Sequence, residues 1–197
     1  MPNNAHPRPA EDQWGLLSSH GFSERFAGTW VEGDDPESVA QQLGADLDSR
    51  LVCDLSTAMR WYDPYSPEEI IWVGPHAPGW LHIISLSGGP VAPFPICGSG
   101  RRLFYLEYDD GEGGVHGLSY WRDGQNRGQC GRDSNFLGEL EPLLREYNLE
   151  STATADFADE EDELNDYLHL IGLVTGRYID HEWFGTSRTL YRIPDEF

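Results

Sequence analysis

Closely spaced strand patterns in the middle of the chain constrain its fold more than any other feature. Four largely apolar runs cover residues 70–73, 80–86, 102–108 and 115–122. Turn-forming residues rich in Gly, Pro and Asp separate them, and we expect the first run to end at Gly74-Pro75. Short strands joined by turns rather than by helices are typical of an antiparallel meander. The sequence therefore predicts a central antiparallel sheet.

Helical patterns lie on both sides of these strands. Asp35 can cap a short early helix, because Pro36 fits its first position and Glu37 favours its positive end. Apolar residues at helical spacing predict two further helices, over residues 136–147 and 159–174. The resulting fold class is α+β, with a central antiparallel meander, one early short helix and two C-terminal helices packed on one face.

The length of 197 residues suits a single domain. Residues 1–12 are polar and Pro-rich, and we expect a disordered N-terminal tail there. The α+β domain covers residues 13–197 and is sheet-rich over 26–130 and helical over 134–184. No apolar run approaches the ~20 residues that a membrane-spanning helix needs, and the polar composition of residues 1–12 leads us to expect no signal peptide there. A cytoplasmic protein is the default expectation.

The charge of the chain limits its partners. It has 34 acidic residues against 13 basic ones, all Arg, and a formal net charge of -21. Disordered acidic chains are poor in aromatic residues, whereas this chain is 12% aromatic and has 7 Trp, so it can build a core. A negative surface repels nucleic acids, nucleotides and anionic membranes and attracts cationic partners. We therefore expect a basic protein partner, no nucleic acid and no membrane; the oligomeric state stays open.

Two kinds of residue are candidates for binding such a partner. Acidic residues near turns and helix starts would steer its approach. These are Asp34, Asp35, Asp109, Asp110, Glu112, Glu160 and Glu161. Exposed aromatic residues would anchor it, because Trp and Tyr are enriched at binding hot spots. The candidates are Trp61, Tyr62 and Tyr65, which lie in a loop-like stretch that contains Pro; the alternative is that these rings close the end of the sheet.

No motif assigns catalytic chemistry. The acidic run at 159–163 lacks the alternating ligands and the central Gly of a calcium loop. The Gly-rich stretch at 98–102 lacks the Lys and Ser/Thr of a phosphate-binding loop. His82 and His169 fall inside apolar patterns, where a hydrogen-bonded core histidine is commoner than a ligand. Three widely spaced cysteines, Cys53, Cys97 and Cys130, fit reduced thiols. We assign no catalytic, cofactor-binding or metal-binding residue.

Three stretches resemble an uncharacterised family of small actinobacterial proteins of unknown function. They are residues 28–46, residues 78–89 and residues 173–183, which together frame most of 26–184. The chain departs from the pattern over residues 101–108 and in its long Gly-rich turns. The resemblance supplies no activity and no functional residue. In overall character the chain is similar to bacterial immunity proteins, which are small, acidic and non-catalytic.

These observations leave three functional hypotheses. The leading one is an acidic, non-catalytic protein-binding module, in particular an immunity or inhibitor protein for a basic toxin or nuclease. The alternative is a hydrolase that depends on carboxylates or on a metal, which would require distant acids to converge in one pocket. The third is an acidic protein whose charge serves solubility and has no specific electrostatic partner.

Overall fold

The computed structural model describes residues 12–90, 94–98, 100–129, 140, 142 and 159–194. Its centre is one eight-stranded sheet, in which every pairing between strands is antiparallel. The strands are β1 (Arg25–Glu32), β2 (Asp46–Cys53), β3 (Glu69–Ala77), β4 (Trp80–Ser87), β5 (Arg102–Asp109), β6 (Gly114–Arg122), β7 (Gln125–Gln129) and β8 (Arg188–Ile193). Their order across the sheet is β2-β8-β3-β4-β1-β5-β6-β7.

Five α-helices with both ends in the described ranges accompany the sheet, together with a π-helical turn over Ser18–Phe22 and short 3-10 turns. They are α1 (Gln13–Leu17), α2 (Pro36–Gln42), α3 (Leu55–Ala58), α4 (Glu160–Thr175) and α5 (His181–Gly185). The early helix that the sequence predicts is α2, and the predicted helix over 159–174 is α4. Asp159 caps α4 by accepting a hydrogen bond from the backbone N–H of Asp162, and Gly176 ends it with a φ of 81°.

The sheet has a packed layer on each face. On the first face lie Trp30, Trp72 and Phe104, together with the buried side of α4. On the second face, Val31 and Val73 pack with α2. Each large apolar side chain that is fully buried contributes roughly 1.5–3 kcal/mol through removal from water. The site described below lies where one end of the sheet meets the start of α4.

The predicted α+β class with an antiparallel sheet is confirmed, but the sheet is a meander only in part, and one predicted strand end is wrong. Consecutive strands pair in β3–β4 and in β5–β6–β7, but β1 lies between β4 and β5, and β8 lies between β2 and β3. The strand predicted to stop at Gly74-Pro75 continues to Ala77 as β3. A register shift between Pro75 and Ala77 accommodates the missing proline N–H.

Several predictions fall on residues outside the described ranges. The helix predicted over 136–147 and the tail predicted over 1–11 belong to this group. Asp12, the last residue of the predicted tail, caps α1 by accepting a hydrogen bond of 2.9 Å from the N–H of Gly15. Cys53 and Cys97 are buried free thiols, as predicted, and Cys130 lies outside the described residues.

Candidate functional site

Several of the predicted acidic residues meet at one end of the sheet. Strand pairing places Arg25, where β1 begins, opposite Asp109, where β5 ends. The connection from β5 to β6 follows immediately as a 3-10 turn over Asp110–Glu112. The first residue of α4 reaches this connection, because a Cβ built on Gly114 would collide with the carboxylate of Glu160. We call the surface formed by Tyr65, Asp110, Asp159, Glu160 and Glu161 the acidic end.

A groove opens at the acidic end. Its volume is about 520 Å³, and it lies between α1, the end of β5 and the start of α4. Its lining combines aromatic rings, serines and carboxylates. The lining residues are Trp14, Ser18, Ser23, Tyr108, Asp159, Glu160, Glu161 and Leu164. An apolar wall with a negative rim can hold a cationic side chain, whose methylene stem packs on the rings while its charge faces the carboxylates.

Tyr108 reports the electrostatics of this groove. Burial raises the pKa of the Tyr108 phenol, and the carboxylates of Asp110, Glu160 and Glu161 raise it further. An additional negative charge in the groove is therefore unfavourable, whereas a positive charge is favoured. The Tyr108 ring packs edge-on against Trp14, with 4.8 Å between ring centroids, so α1 and β5 together form the aromatic wall.

Tyr65 is the exposed aromatic residue of the acidic end. Its side chain is 67% exposed. Its hydroxyl lies beside the β5–β6 connection, 3.4 Å from where a Cβ on Gly111 would stand. Of the three aromatic residues predicted as anchors, Tyr65 is the one that presents its ring to solvent next to the predicted acids.

The other two predicted anchors take part in the internal structure. The Tyr62 hydroxyl donates a hydrogen bond of 2.7 Å to the backbone carbonyl of Arg25, and its ring packs edge-on against Phe22. Burial raises the pKa of Tyr62 to about 12. Trp61 is partly buried and packs against the same hydrophobic core. Both rings therefore contact the interior of the protein, and a role for them in partner binding stays a prediction.

Asp109 differs from its neighbour Asp110 in exposure. Asp109 is only 1% exposed. Its carboxylate lies 3.3 Å from Nε of Arg25 and accepts a hydrogen bond of 2.9 Å from the N–H of Gly111. Arg25 also lies 3.5 Å from Glu107. Asp109 therefore holds the turn in place, whereas Asp110 is exposed and can face a partner. Of Glu112 the structure describes only the backbone.

Asp34 and Asp35 lie away from the acidic end. They follow β1, whose eight residues separate its two ends by roughly 23 Å at about 3.3 Å per residue. The Asp35 carboxylate accepts hydrogen bonds from the N–H groups of Glu37 and Ser38, so it caps α2. Asp34 is exposed and separate from the groove. The structure thus brings together the predicted residues of the β5–β6 turn and of α4, but not these two.

Sequence reasoning missed the aromatic wall of the groove. Trp14 belongs to an apolar cluster that the sequence shows, and Tyr108 belongs to the alternating pattern of β5. Their meeting depends on the packing of α1 against α4 and on the hydrogen bond of 2.8 Å from the N–H of Trp14 to the Asn165 side chain. Trp14 and Asn165 are 151 positions apart, and Tyr108 is also distant from Trp14 in the sequence, so no local pattern could have indicated this contact.

Comparison with family models, with curated proteins and with solved structures finds no match for this chain. The resemblance to a family of small actinobacterial proteins therefore stays a prediction. Within the described ranges, no group of three or more His, Cys, Asp or Glu side chains is arranged to hold a metal ion. No helix in the described part of the chain is long and apolar enough to cross a membrane.

Proposed function

We propose that this protein is an acidic, non-catalytic binding module that engages a basic protein through the acidic end. The partner class that fits best is a basic toxin, such as a nuclease, which the protein would neutralise in the cytoplasm as an immunity or inhibitor protein. The observation that carries the proposal is the groove of about 520 Å³, whose lining includes two aromatic residues and three acidic residues.

The chemistry of the groove favours an arginine or lysine side chain of the partner. Its carboxylates can accept charge-assisted hydrogen bonds from a guanidinium or an ammonium group. Trp14 and Tyr108 offer ring faces or edges against which a methylene stem can pack. Tyr65, exposed beside the same surface, supplies an aromatic contact of the kind that is common at hot spots.

The charge of the whole molecule supports the same partner class. A net charge of -21 creates a long-range field that accelerates encounters with a basic protein. Such steered association can reach about 10⁸–10⁹ M⁻¹s⁻¹ at low salt. The field accelerates the approach of the partner, and the residues of the groove then contact it at short range.

The test is an affinity pull-down from extract of the native host at low and at high salt, followed by mass spectrometry. The wild type is compared with the acidic-end variant Asp110→Asn/Glu160→Gln/Glu161→Gln. The matched control is Asp34→Asn/Asp48→Asn/Glu182→Gln, which removes the same charge from exposed acids elsewhere. We expect a stoichiometric basic protein that elutes as salt rises, that the acidic-end variant loses and that the control retains.

Two outcomes would count against the proposal. If both triple variants lost the partner equally, net charge rather than the acidic end would hold it. If no basic protein were recovered at either salt concentration, the proposal that this protein is a binding module would be in doubt.

Reversing the charge at one position, with Glu160→Arg, should abolish capture of the basic partner if the groove takes a cationic side chain.

A further inference from the structure

A second exposed surface lies at the edge of the sheet that β2 forms. Its neighbour is β8, and in the described part of the sheet no strand pairs with its other side. An unpaired strand edge offers N–H and C=O groups that can pair with another chain. The opposite edge strand, β7, consists of polar residues and Gly and exposes no large apolar side chain. The two edges of the sheet therefore present different chemistry to solvent.

The two halves of β2 also differ. A register shift between Asp46 and Leu51 interrupts the pairing with β8, and Asp46 and Asp48 are exposed there. Such irregularities and charges are the usual means by which edge strands avoid further pairing. The second half exposes 39% of Leu51 and 68% of Val52, which with Tyr65 are the exposed large apolar residues of the described ranges. This half lacks the protection of the first.

The backbone of Val52 faces the open side of β2. The carbonyl of Cys53 accepts a hydrogen bond of 3.3 Å from Nε1 of Trp72. Trp72 belongs to β3, which lies beyond β8, so this carbonyl points towards β8. Backbone groups of successive residues in an antiparallel strand point to opposite sides. The N–H and C=O of Val52 therefore point away from β8, towards the free edge.

The residues around Val52 are complementary to themselves. If a second copy of β2 paired antiparallel about a two-fold axis at Val52, each Val52 would lie opposite the Val52 of the other copy. Arg50 would lie opposite Asp54 of the other copy, twice by symmetry. Cross-strand pairs of apolar residues and of opposite charges stabilise a sheet. A second copy thus supplies both the apolar contact and the charges that this segment can use.

Both charged residues are available for this pairing. Arg50 lies 3.6 Å from Glu37, and the two side chains are 65% and 55% exposed, so their ion pair contributes little. Asp54 is exposed, and its carboxylate caps α3 by accepting a hydrogen bond of 2.8 Å from the N–H of Thr57. A carboxylate can accept several hydrogen bonds at once, so this cap leaves room for a guanidinium.

We propose that the open edge of β2 pairs with β2 of a second copy and forms a two-fold symmetric dimer centred on Val52. The two eight-stranded sheets would join into one, and the two Val52 residues would exchange both backbone hydrogen bonds. The dimer would be weak and reversible, because the segment is short and each copy carries a net charge of -21. Four strands separate β2 from β5 at the acidic end, so the proposal is independent of the proposed function.

The test is sedimentation velocity of the wild type over a dilution series. Physiological salt is suitable, because it shortens the Debye length to about 8 Å and screens the repulsion between the two copies. We expect monomer and dimer in exchange, with a share of dimer that rises with protein concentration. Protein that stayed monomeric up to millimolar concentration would overturn the proposal.

A charge at the centre of the interface should abolish the dimer. Val52→Lys would bring two ammonium groups together on the two-fold axis, and Val52 is exposed enough for the variant to fold. The matched control is Gln125→Lys, which adds the same charge at the exposed first residue of β7 and should still dimerise. A Val52→Lys variant that dimerised like the wild type would count decisively against this interface.

Reversing the charge of Arg50 tests the register. Arg50→Glu would place like charges opposite each other twice, which should raise the dissociation constant of the dimer about tenfold. Arg127→Glu, at an exposed residue of β7, changes the net charge by the same amount and should raise it less. Equal effects of the two variants would contradict the pairing of Arg50 with Asp54.

Cross-linking tests the contact of Val52 with itself. Directly opposite residues that exchange both backbone hydrogen bonds have Cα atoms about 5.5 Å apart, within the range of a disulfide. Under mild oxidation, Val52→Cys should form a covalent dimer faster than the control Gln125→Cys. Cys53 and Cys97 are buried in both variants. Equal rates of cross-linking would refute the two-fold axis at Val52.

Discussion

His76 and His82 are two buried histidines whose neutral state is part of the fold. Trp183 Nε1 donates a hydrogen bond of 3.1 Å to His76 Nδ1, so this nitrogen carries no proton. The proton of the ring is therefore on Nε2, which lies 3.0 Å from the backbone carbonyl of Arg177. Burial, together with the positive charges of Arg177 and Arg188, lowers the pKa of His76 to about 3.

These histidines should make the protein sensitive to mild acid. Burial also lowers the pKa of His82 well below its usual value of about 6.5. The unfolded chain therefore takes up protons below pH 6.5, whereas the folded protein does not, and stability falls as the pH falls from there. For His76 the loss between pH 7 and pH 5 should be about 2 kcal/mol, and His82 adds to it in the same direction.

Urea unfolding at pH 7, 6 and 5 measures this dependence. The variant His76→Gln should show a shallower loss of unfolding free energy on acidification than the wild type. His181→Gln, at an exposed position, is the matched control. A pH dependence that is identical in all three proteins would mean that His76 does not cause the loss.

At the scale of single residues, the sequence could not distinguish the roles of two adjacent aspartates at this end of the sheet. Asp109 and Asp110 stand side by side in one turn motif, and the sequence treats them alike. The pairing of β1 with β5 buries Asp109 against Arg25 and leaves Asp110 exposed. That pairing is between strands separated by more than seventy positions, so no local pattern assigns the two carboxylates different roles.

At the scale of elements, local sequence patterns predicted the helix ends that hydrogen bonds between nearby residues determine. The Asp35-Pro36-Glu37 start of α2 and the Gly176 end of α4 are set by hydrogen bonds within a few residues, and both were predictable. The order of the strands in the sheet was not predictable from local patterns. β8 lies between β2 and β3, and its place depends on partners more than a hundred positions away. The Trp14–Tyr108 wall of the groove depends on the same kind of distant contact.

A capping role for Asp35 makes a specific prediction. Asp35→Ala should reduce the unfolding free energy by about 1 kcal/mol, because two N–H groups of α2 lose their acceptor. The neighbouring variant Asp34→Ala, at an exposed position, should change it by less than about 0.5 kcal/mol. Chemical denaturation measures both values.

The same pair of variants tests the original assignment of these residues to partner binding. Neither substitution should weaken capture of the basic partner if the acidic end is the binding surface. A large loss of binding in Asp34→Ala, with stability unchanged, would place part of the interface at this opposite end of β1.

At the scale of the whole molecule, the acidic end costs stability in the isolated protein. Asp110, Glu160 and Glu161 are exposed, lie close enough to Tyr108 to raise its pKa together, and repel one another. Acids at the first turn of α4 gain from the helix dipole, and this gain offsets part of the repulsion. A surface that served solubility alone would gain nothing from concentrating carboxylates around an aromatic groove.

Neutralising this surface should therefore stabilise the free protein at low salt. The variant Asp110→Asn/Glu160→Gln/Glu161→Gln should unfold at higher urea than the wild type at about 10 mM salt, where the Debye length is about 30 Å. The difference should shrink towards physiological salt, where that length is about 8 Å. The control Asp34→Asn/Asp48→Asn/Glu182→Gln removes the same net charge from scattered positions, and its stability against urea should increase less.

Equal increases in the stability of the two variants would mean that the acidic residues are spread over the chain without local concentration, which is the pattern expected if charge serves solubility. A larger gain at the acidic end, lost together with capture of the basic partner, would mean that the repulsion is retained because a cationic partner relieves it.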